Sequence, residues 1–544
     1  MKRPLKVIVV GSGVAGMAFA HRLSTLMKKG EVEVHMLSKA PPETSNSHAA
    51  QGGVAAVIDP ADSWEQHRDD TLAVGAGRCD PEVLERVVRE GPTCIRELLA
   101  IGARFDTDAQ GHLDAAHEGG HRTPRVVHHS DHTGAELVRV LQGQVKGTAH
   151  ITVTETLFAL DLLVTDGPDG RRCNGVRTID IRTGAVREHF SDAVVLATGG
   201  AGQVYRHTTN PIGATGSGVA MAVRAGVPLR DMAFVQFHPT ALYDPQRKGA
   251  FLISEAVRGA GAVLLRPDAT RLMEGLHPMA DLAPRNVVAR AIHTVMREQR
   301  VPHVRLDATR IGEVRFAREF PMIMKHCMGI GLDPTKDPIP VMPAAHYLCG
   351  GIRTDAQGRT LLNGLYALGE CAGSGLHGAD RLASNSLLEA LVIPRYAASS
   401  VMTSERNAIL PEDAVVGRSS FADEDPAVIA ALGELRDLMM DRVGIVRDDA
   451  GLQVASSSIA RIQQFVVDQW TGGGHSLDLY ELRDLVLVAQ AICEQAIAEP
   501  FNVGAHWNRD RQDRASMRSE GPDTSGSSRS EMHHEASRIR LRTP

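Results

Sequence analysis

Residues 6–16, KVIVVGSGVAG, leave this chain few folds to choose from. The apolar residues 7–10 read as a buried strand that turns through Gly11, Gly13 and Gly16 into a helix. Glycines at such a turn let backbone approach a pyrophosphate closely, and the helix N-terminus offers it free N–H groups and a positive dipole end. Gly11, Ser12, Gly13, Val14, Ala15 and Gly16 are therefore candidate phosphate-binding residues. Two more strand-then-glycine edges lie far downstream. VVLATGGAG, residues 194–202, brings Thr198 and Gly199 to one edge. GLYALGE, residues 364–370, brings Glu370, whose carboxylate suits a ribose hydroxyl. One such motif is a weak sign of a nucleotide. Three together suit FAD, whose length spans several strand ends, better than NAD.

One residue common in dinucleotide readers is absent. The second strand, residues 32–37, ends in Ser38-Lys39, where an acidic residue normally takes the ribose. Lys39 is expected to meet phosphate instead. At 544 residues the chain needs two or three domains. A hydrophobic content of 43% and a charged content of 23% are ordinary for a soluble globular protein. The formal net charge of -6 gives no reason to expect nucleic acid or an anionic membrane as partner. No apolar stretch is long enough to span a bilayer, and because MKRPLK leads straight into the first strand no signal peptide is expected. The seven cysteines are scattered without CxxC spacing, so no iron–sulfur or zinc site is expected and a reducing cytoplasm is.

Strand and helix patterns alternate to about residue 100, as in α/β folds, with residues 83–99 an amphipathic helix. Residues 151–164 and 175–181 read as strands of an antiparallel meander inserted before residue 194. The texture then changes to proline-punctuated loops, short helices and a basic helix over 287–297, which predicts an inserted second domain at residues 237–343. Flavin-type sequence returns from 344, so residues 1–236 and 344–405 form a two-part FAD-binding domain. Residues 420–507 are helical. Beyond residue 508 Arg, Ser and Asp dominate, and a disordered tail over 508–544 is expected.

Polar chemistry gathers among glycines and prolines. Phe237-His238-Pro239-Thr240 sets a histidine in a rigid turn, and Asp281-Leu282-Ala283-Pro284-Arg285 sets an arginine at a helix start. His346 precedes the Gly350-Gly351 turn, and Arg381 stands beside Ser384-Asn385-Ser386-Leu387. Two arginines and two histidines suit a small dicarboxylate, because arginine pairs carboxylates through two parallel N–H bonds and histidine can donate a third.

In order along the chain, GSGVAG, LSKA, AQGGVAAV, QFHPTALY, PRNVVARAI, AAHYLCGGI, GLYALGE and GLHGADRLASNSLLEALV resemble the fumarate reductase/succinate dehydrogenase flavoprotein superfamily. Within it the chain is most similar to the L-aspartate oxidases. The likeness covers roughly residues 5–400 and, more loosely, the helical region. It implies a Rossmann-like, two-part FAD-binding α/β domain, an inserted α+β capping domain and a C-terminal helical bundle. It also implies oxidation of L-aspartate to iminoaspartate with O2 or fumarate as acceptor, the first step of de novo NAD biosynthesis. Quinolinate synthase is then the candidate partner receiving the product. His238, His346 and Arg381 would bind substrate, Arg285 would exchange the proton, and Asn46, Ser47, His48, Ala49, Ala50, Gln51, Gly52, Gly53, Ser217, Ser386 and Leu387 would join the residues holding FAD.

Two features favour the oxidases over their respiratory siblings. His117-Glu118-Gly119-Gly120-His121 resembles a stretch in which Glu118 would face the substrate ammonium, a group succinate lacks. Asn46 stands where the respiratory enzymes tether FAD through histidine, and His48 is two residues away, so the FAD is expected to be noncovalent. The chain also departs from the pattern. Ser217 replaces a usual Asp, Asp380 replaces a usual Asn and is expected to pair with Arg381 and compete with substrate, and residues 501–506 keep only part of a C-terminal motif. Two other readings stay open: a succinate dehydrogenase/fumarate reductase flavoprotein subunit, and a non-catalytic flavin-binding homologue.

Overall fold

The computed structural model describes residues 3–513 apart from 168–169, 247–248, 407–409, 420–424 and 474. Its centre is a parallel five-stranded sheet in the order Leu365–Ala367, Ala193–Leu196, Leu5–Val10, Val32–Leu37, Ile151–Thr154. The inner strands are near-continuous apolar runs because helices cover the sheet, as in other parallel sheets. Val14–Leu26, Thr133–Lys146 and Asn385–Met402 provide that cover. All three glycine-rich edges predicted from sequence therefore sit side by side at one end of one sheet.

The expected meander divides in two. Residues 151–154 pair in parallel with the second strand and complete the central sheet. The chain breaks at Thr156, which has a left-handed φ of 72°. The antiparallel sheet begins at Leu157–Gly167 and continues through Gly170–Asp180, Ala185–Phe190 and the later strand Ala414–Arg418.

Two antiparallel strands, Val235–Leu242 and Ile339–Leu348, carry the chain out of the flavin-type region and back. Beyond them Val304–Asp307 and Val263–Leu265 extend the sheet, and the helix Arg285–Gln299 packs on it around a separate apolar core. His238 and His346 lie on the two connecting strands where these leave the FAD side.

Three helices, Pro426–Arg442, Asp449–Thr471 and Leu477–Ala498, follow. Each starts on a side-chain cap: Asp425, Asp448 and Ser476 accept from backbone N–H groups of the first turn. A buried ion network ties the last helix to the FAD half, Arg224 bonding Asp484 at 2.7 Å and Asp161 at 2.6 Å.

The predicted tail begins too early. Residues 508–513 are ordered: Asn502 accepts from the Asn508 N–H at 2.7 Å, and Arg511 donates to the carbonyls of Glu499 and Ile497. These contacts supply satisfied polar groups where composition alone offered only solvated ones. Residues 514–544 lie outside the described residues. The partial motif at 501–506 docks nonetheless, with the Ala505 N–H donating to Ala379 O at 2.8 Å and Asn286 Nδ2 to Gly504 O at 2.7 Å. All seven cysteines are buried and free. No helix among the described residues is long and apolar enough to cross a membrane.

Candidate active site

One continuous cleft runs from the glycine-rich strand ends to the connecting strands of the inserted domain. Gly11 shows why this turn needs glycine: its φ is +114°, and a Cβ there would stand 2.2 Å from Ala197 O. Gly11, Ser12, Gly13, Ala15, Lys39, Asn46, Ser47, Ala49, Ala50, Gln51, Gly52, Gly53, Thr198, Gly199, Ser217, Glu370, Ser386 and Leu387 all line the cleft. Three expected members do not. Val14 faces the core, Gly16 serves close packing of the helix against Gly11, and His48 stands outside the lining. The Val14 N–H is instead taken by Ser47 Oγ at 3.1 Å.

The lining fits a flavin on its own chemistry. Asn46 Oδ1 and Gln51 Oε1 are buried and lack a hydrogen-bond partner, while the other side-chain ends are fixed: Asn46 Nδ2 donates to Glu370 at 3.3 Å and Gln51 Nε2 to Leu252 O at 2.7 Å. Buried amide oxygens left without donors call for a ligand that supplies them. Glu370 also accepts from the Leu348 N–H at 3.0 Å, and burial pushes its carboxyl up to about 7. Lys39 is already engaged, donating to Thr215 at 2.9 Å and pairing with Glu481 of the last helix at 3.2 Å.

At the other end the structure gathers Glu118, His238, Arg285, His346 and Arg381, all buried or nearly so and all lining the cleft. Arg285, the first residue of its helix, donates from Nε to Glu255 Oε2 at 2.7 Å and from Nη1 to Gln236 Oε1 at 2.9 Å. Arg381 donates to the same Gln236 oxygen at 2.9 Å and to Ser386 Oγ at 3.0 Å, with its guanidinium 4.4 Å from the centre of the Tyr347 ring. Glu255 is further bonded by Arg258 at 2.8 Å. Burial works against its charge, but the Arg285 and Arg258 guanidiniums prevail and hold the carboxyl down to about 2. Arg258, Glu255 and Arg285 thus form a charge-alternating row ending in the cleft.

The histidines are neutral donors. Burial, with the nearby arginines, lowers both well below the usual imidazole range. The Thr240 backbone N–H approaches His238 Nδ1 at 3.2 Å. That donor forces the imidazole proton onto Nε2. His346 Nδ1 meets the Thr209 hydroxyl at 2.8 Å, and the two rings pack edge to face, 5.1 Å apart. Glu118 accepts from Ser384 Oγ at 2.6 Å. Burial first, and the Glu255 carboxylate second, raise its carboxyl above the ordinary range.

Asp380 does not form the ion pair with Arg381 that the sequence suggested. It is absent from the cleft lining, and its Oδ1 accepts from Gln236 Nε2 at 2.6 Å and from the Arg381 backbone N–H at 3.0 Å. Among the described residues it makes no ion pair with the Arg381 side chain. Gln236, Glu255, Ser384 and Tyr347 were missed by sequence reasoning. Gln236 stands two residues before His238 on a strand, where alternation puts side chains on one side. Glu255 and Arg258 are spaced i, i+3 at a helix start. Those were the available signals.

The chain matches the FAD binding domain family over residues 6–387 and the fumarate reductase flavoprotein C-terminal family over 433–519. It is 44% identical to L-aspartate oxidase 1 of Ralstonia nicotianae, covering 93% of this chain and 95% of that one. Against the L-aspartate oxidase of Yersinia pestis the identity is 40%, with 93% and 96% covered. Among solved structures, a mutant of the E. coli quinol fumarate reductase subunit FrdA superposes with a TM-score of 0.84 at 30% identity, over 94% of this chain and 93% of that one. A cleft lined by the glycine-rich strand ends, a set of arginines and histidines suited to a dicarboxylate, and relatives at least 40% identical over 93% of this chain agree: the chain belongs to the L-aspartate oxidase family of FAD-dependent oxidoreductases.

Proposed function

We propose that this chain oxidises L-aspartate to iminoaspartate. Glu118 carries the reading: beside the Arg285 and Arg381 forks, which suit two carboxylates, it is a buried carboxylate with no arginine paired to it among the described residues, whereas Glu255 is taken by Arg285 and Arg258. Such a site has one anion left over, and an α-ammonium is the group that uses it. Bound FAD supplies the two-electron acceptor, and O2 or fumarate takes the electrons onward.

The chain's own groups do the rest. Arg381 takes one substrate carboxylate through its fork, and Nε2–H of neutral His238 supplies a further donor. Arg285 is the proton-exchanging group, its Nε held at 2.7 Å by the Glu255 carboxylate, which stays ionised and fixes the guanidinium in place. Glu118 pairs with the ammonium and, with its raised affinity for protons, accepts one from the nitrogen as the imine forms. In this reading residues 1–236 and 344–405 hold FAD, 237–343 close over the substrate and 420–507 buttress the FAD half. The cytoplasm as compartment, NAD biosynthesis as setting and quinolinate synthase as recipient of iminoaspartate belong to the same proposal.

Steady-state assay of the purified holoenzyme with L-aspartate and with succinate tests it. Turnover of L-aspartate with little of succinate is expected. Preference for succinate would support the respiratory flavoprotein reading, and turnover of neither the non-catalytic one.

A further inference from the structure

We infer that Asp380 is a specificity-determining residue, whose ionised carboxylate behind the arginine pair disfavours dicarboxylates that carry no ammonium. The inference rests on the aspartate-oxidising reading. Asp380 is 1% exposed and only one amide away from both guanidiniums: its Oδ1 takes Gln236 Nε2 at 2.6 Å, and Gln236 Oε1 takes Arg285 and Arg381. The other Gln236 hydrogen goes to Arg381 O at 2.8 Å, so the amide cannot turn over. The second oxygen of Asp380 is buried with no hydrogen-bond partner. The charged and titratable groups facing it are Arg285 and Arg290 of one helix, Arg381 of its own loop and the Cys349 thiol.

Charge balance gives the carboxylate its effect. Arg258, Arg285, Arg290 and Arg381 face Glu118, Glu255 and Asp380, four cations against three anions, which leaves room for one net negative charge. L-Aspartate enters with a net charge of -1, its ammonium matched to Glu118. Succinate or fumarate enters as a dianion and leaves the buried cluster with one negative charge too many while Asp380 is ionised, and in a buried site such a surplus charge is costly. Burial pushes the Asp380 carboxyl up to about 6. Above that pH it is charged and opposes dianions; below it is neutral and does not. Dianion affinity should therefore fall as pH rises through that value, and dianion binding should draw a proton onto Asp380.

The test is titration of the FAD holoenzyme with fumarate, a dianion throughout, followed by flavin absorbance from about pH 5 to about pH 8.5, a span that brackets the Asp380 carboxyl. Because Glu118 also has a raised proton affinity, the comparison is made in the Glu118→Gln background. There fumarate Kd should rise about fivefold or more across the range. With Asp380→Asn added the profile should be flat, and fumarate Kd at high pH should fall about fivefold. Calorimetry in buffers of different ionisation heat should show proton uptake on fumarate binding in Glu118→Gln, lost when Asp380→Asn is added. A flat profile in Glu118→Gln would overturn the inference. So would a uniform weakening on adding Asp380→Asn, which would make Asp380 only an acceptor for Gln236. If the Asp380→Asn protein does not fold, the profile and the proton uptake of Glu118→Gln decide alone. A protein that binds fumarate with this pH profile while the wild type does not turn over L-aspartate would fail the functional reading and not this one.

Discussion

Arg285 and Arg381 reach the same oxygen. Each donates to Gln236 Oε1 at 2.9 Å, so a neutral amide holds two cations side by side. Burial, and then the neighbouring Arg285 charge, lower the proton affinity of Arg381. The two carboxylates of L-aspartate relieve that repulsion, and the separation of the two forks is set before they arrive.

Gln236→Leu should accordingly loosen substrate binding. Leucine leaves both guanidiniums without their shared acceptor, and buried donors left unmade are expensive. KM for L-aspartate should rise about tenfold, near 1.4 kcal/mol. Unchanged KM and succinate Kd would show that the arginines are positioned without the amide.

Arg381→Lys and Arg285→Lys should differ. At residue 381 a point ammonium replaces the fork, and KM should rise with kcat little changed. At residue 285 the substitution also separates the cleft from Glu255, and kcat should fall strongly. Equal effects on KM alone would remove Arg285 from proton exchange.

Glu118→Gln should lower kcat/KM for L-aspartate about tenfold or more while leaving fumarate reduction unchanged or improved. The two rates, measured on one preparation, separate recognition of the amine from support of the loop. A parallel drop would assign Glu118 to its bond with Ser384.

Glu255→Gln should lower kcat about a hundredfold, because Arg285 and Arg258 lose their common counter-ion. With its carboxyl held down to about 2, Glu255 is ionised at any working pH. Its share of stability is present above the ordinary glutamate range and lost only as pH falls through that value. The variant should thus leave the acid limb of the wild-type pH–rate profile where it is. A limb that moves would mean Glu255 titrates.

FAD should come free on acid precipitation, leaving the yellow chromophore in the supernatant. Asn46 has no ring nitrogen to bond the flavin, and His48 lies outside the cleft lining. Colour in the washed pellet would show a covalent link made elsewhere.

What the sequence disclosed follows from physics that acts locally. Gly11 is forced by backbone contact with the adjacent strand, so the nucleotide edges could be read directly. His238 and Arg285 stand next to prolines that fix their turns. Gln236 and Glu255 had only faint local signals because their arginine partners Arg285 and Arg381 come later in the chain, and Ser384 bonds Glu118 across 266 positions, which no local pattern reports. The strand at 151–154 was assigned to the wrong sheet because the break at Thr156 is a backbone turn taken by an ordinary residue. Residues 508–513 looked solvated because Arg511 finds its acceptors in main-chain carbonyls, which composition does not display.

The contacts of Gly504 and Ala505 bear on when the protein becomes competent. Asn286, next to Arg285, bonds Gly504 across 218 positions, and Ala379, two residues before Arg381, receives the Ala505 N–H. Both arginine-bearing segments are thus fastened by chain that leaves the ribosome long after they do. A nascent polypeptide can assemble its nucleotide-binding sheet early, yet its reaction centre gains these two fastenings only after residues 504 and 505 have emerged, so catalytic competence waits on chain made well after both arginines.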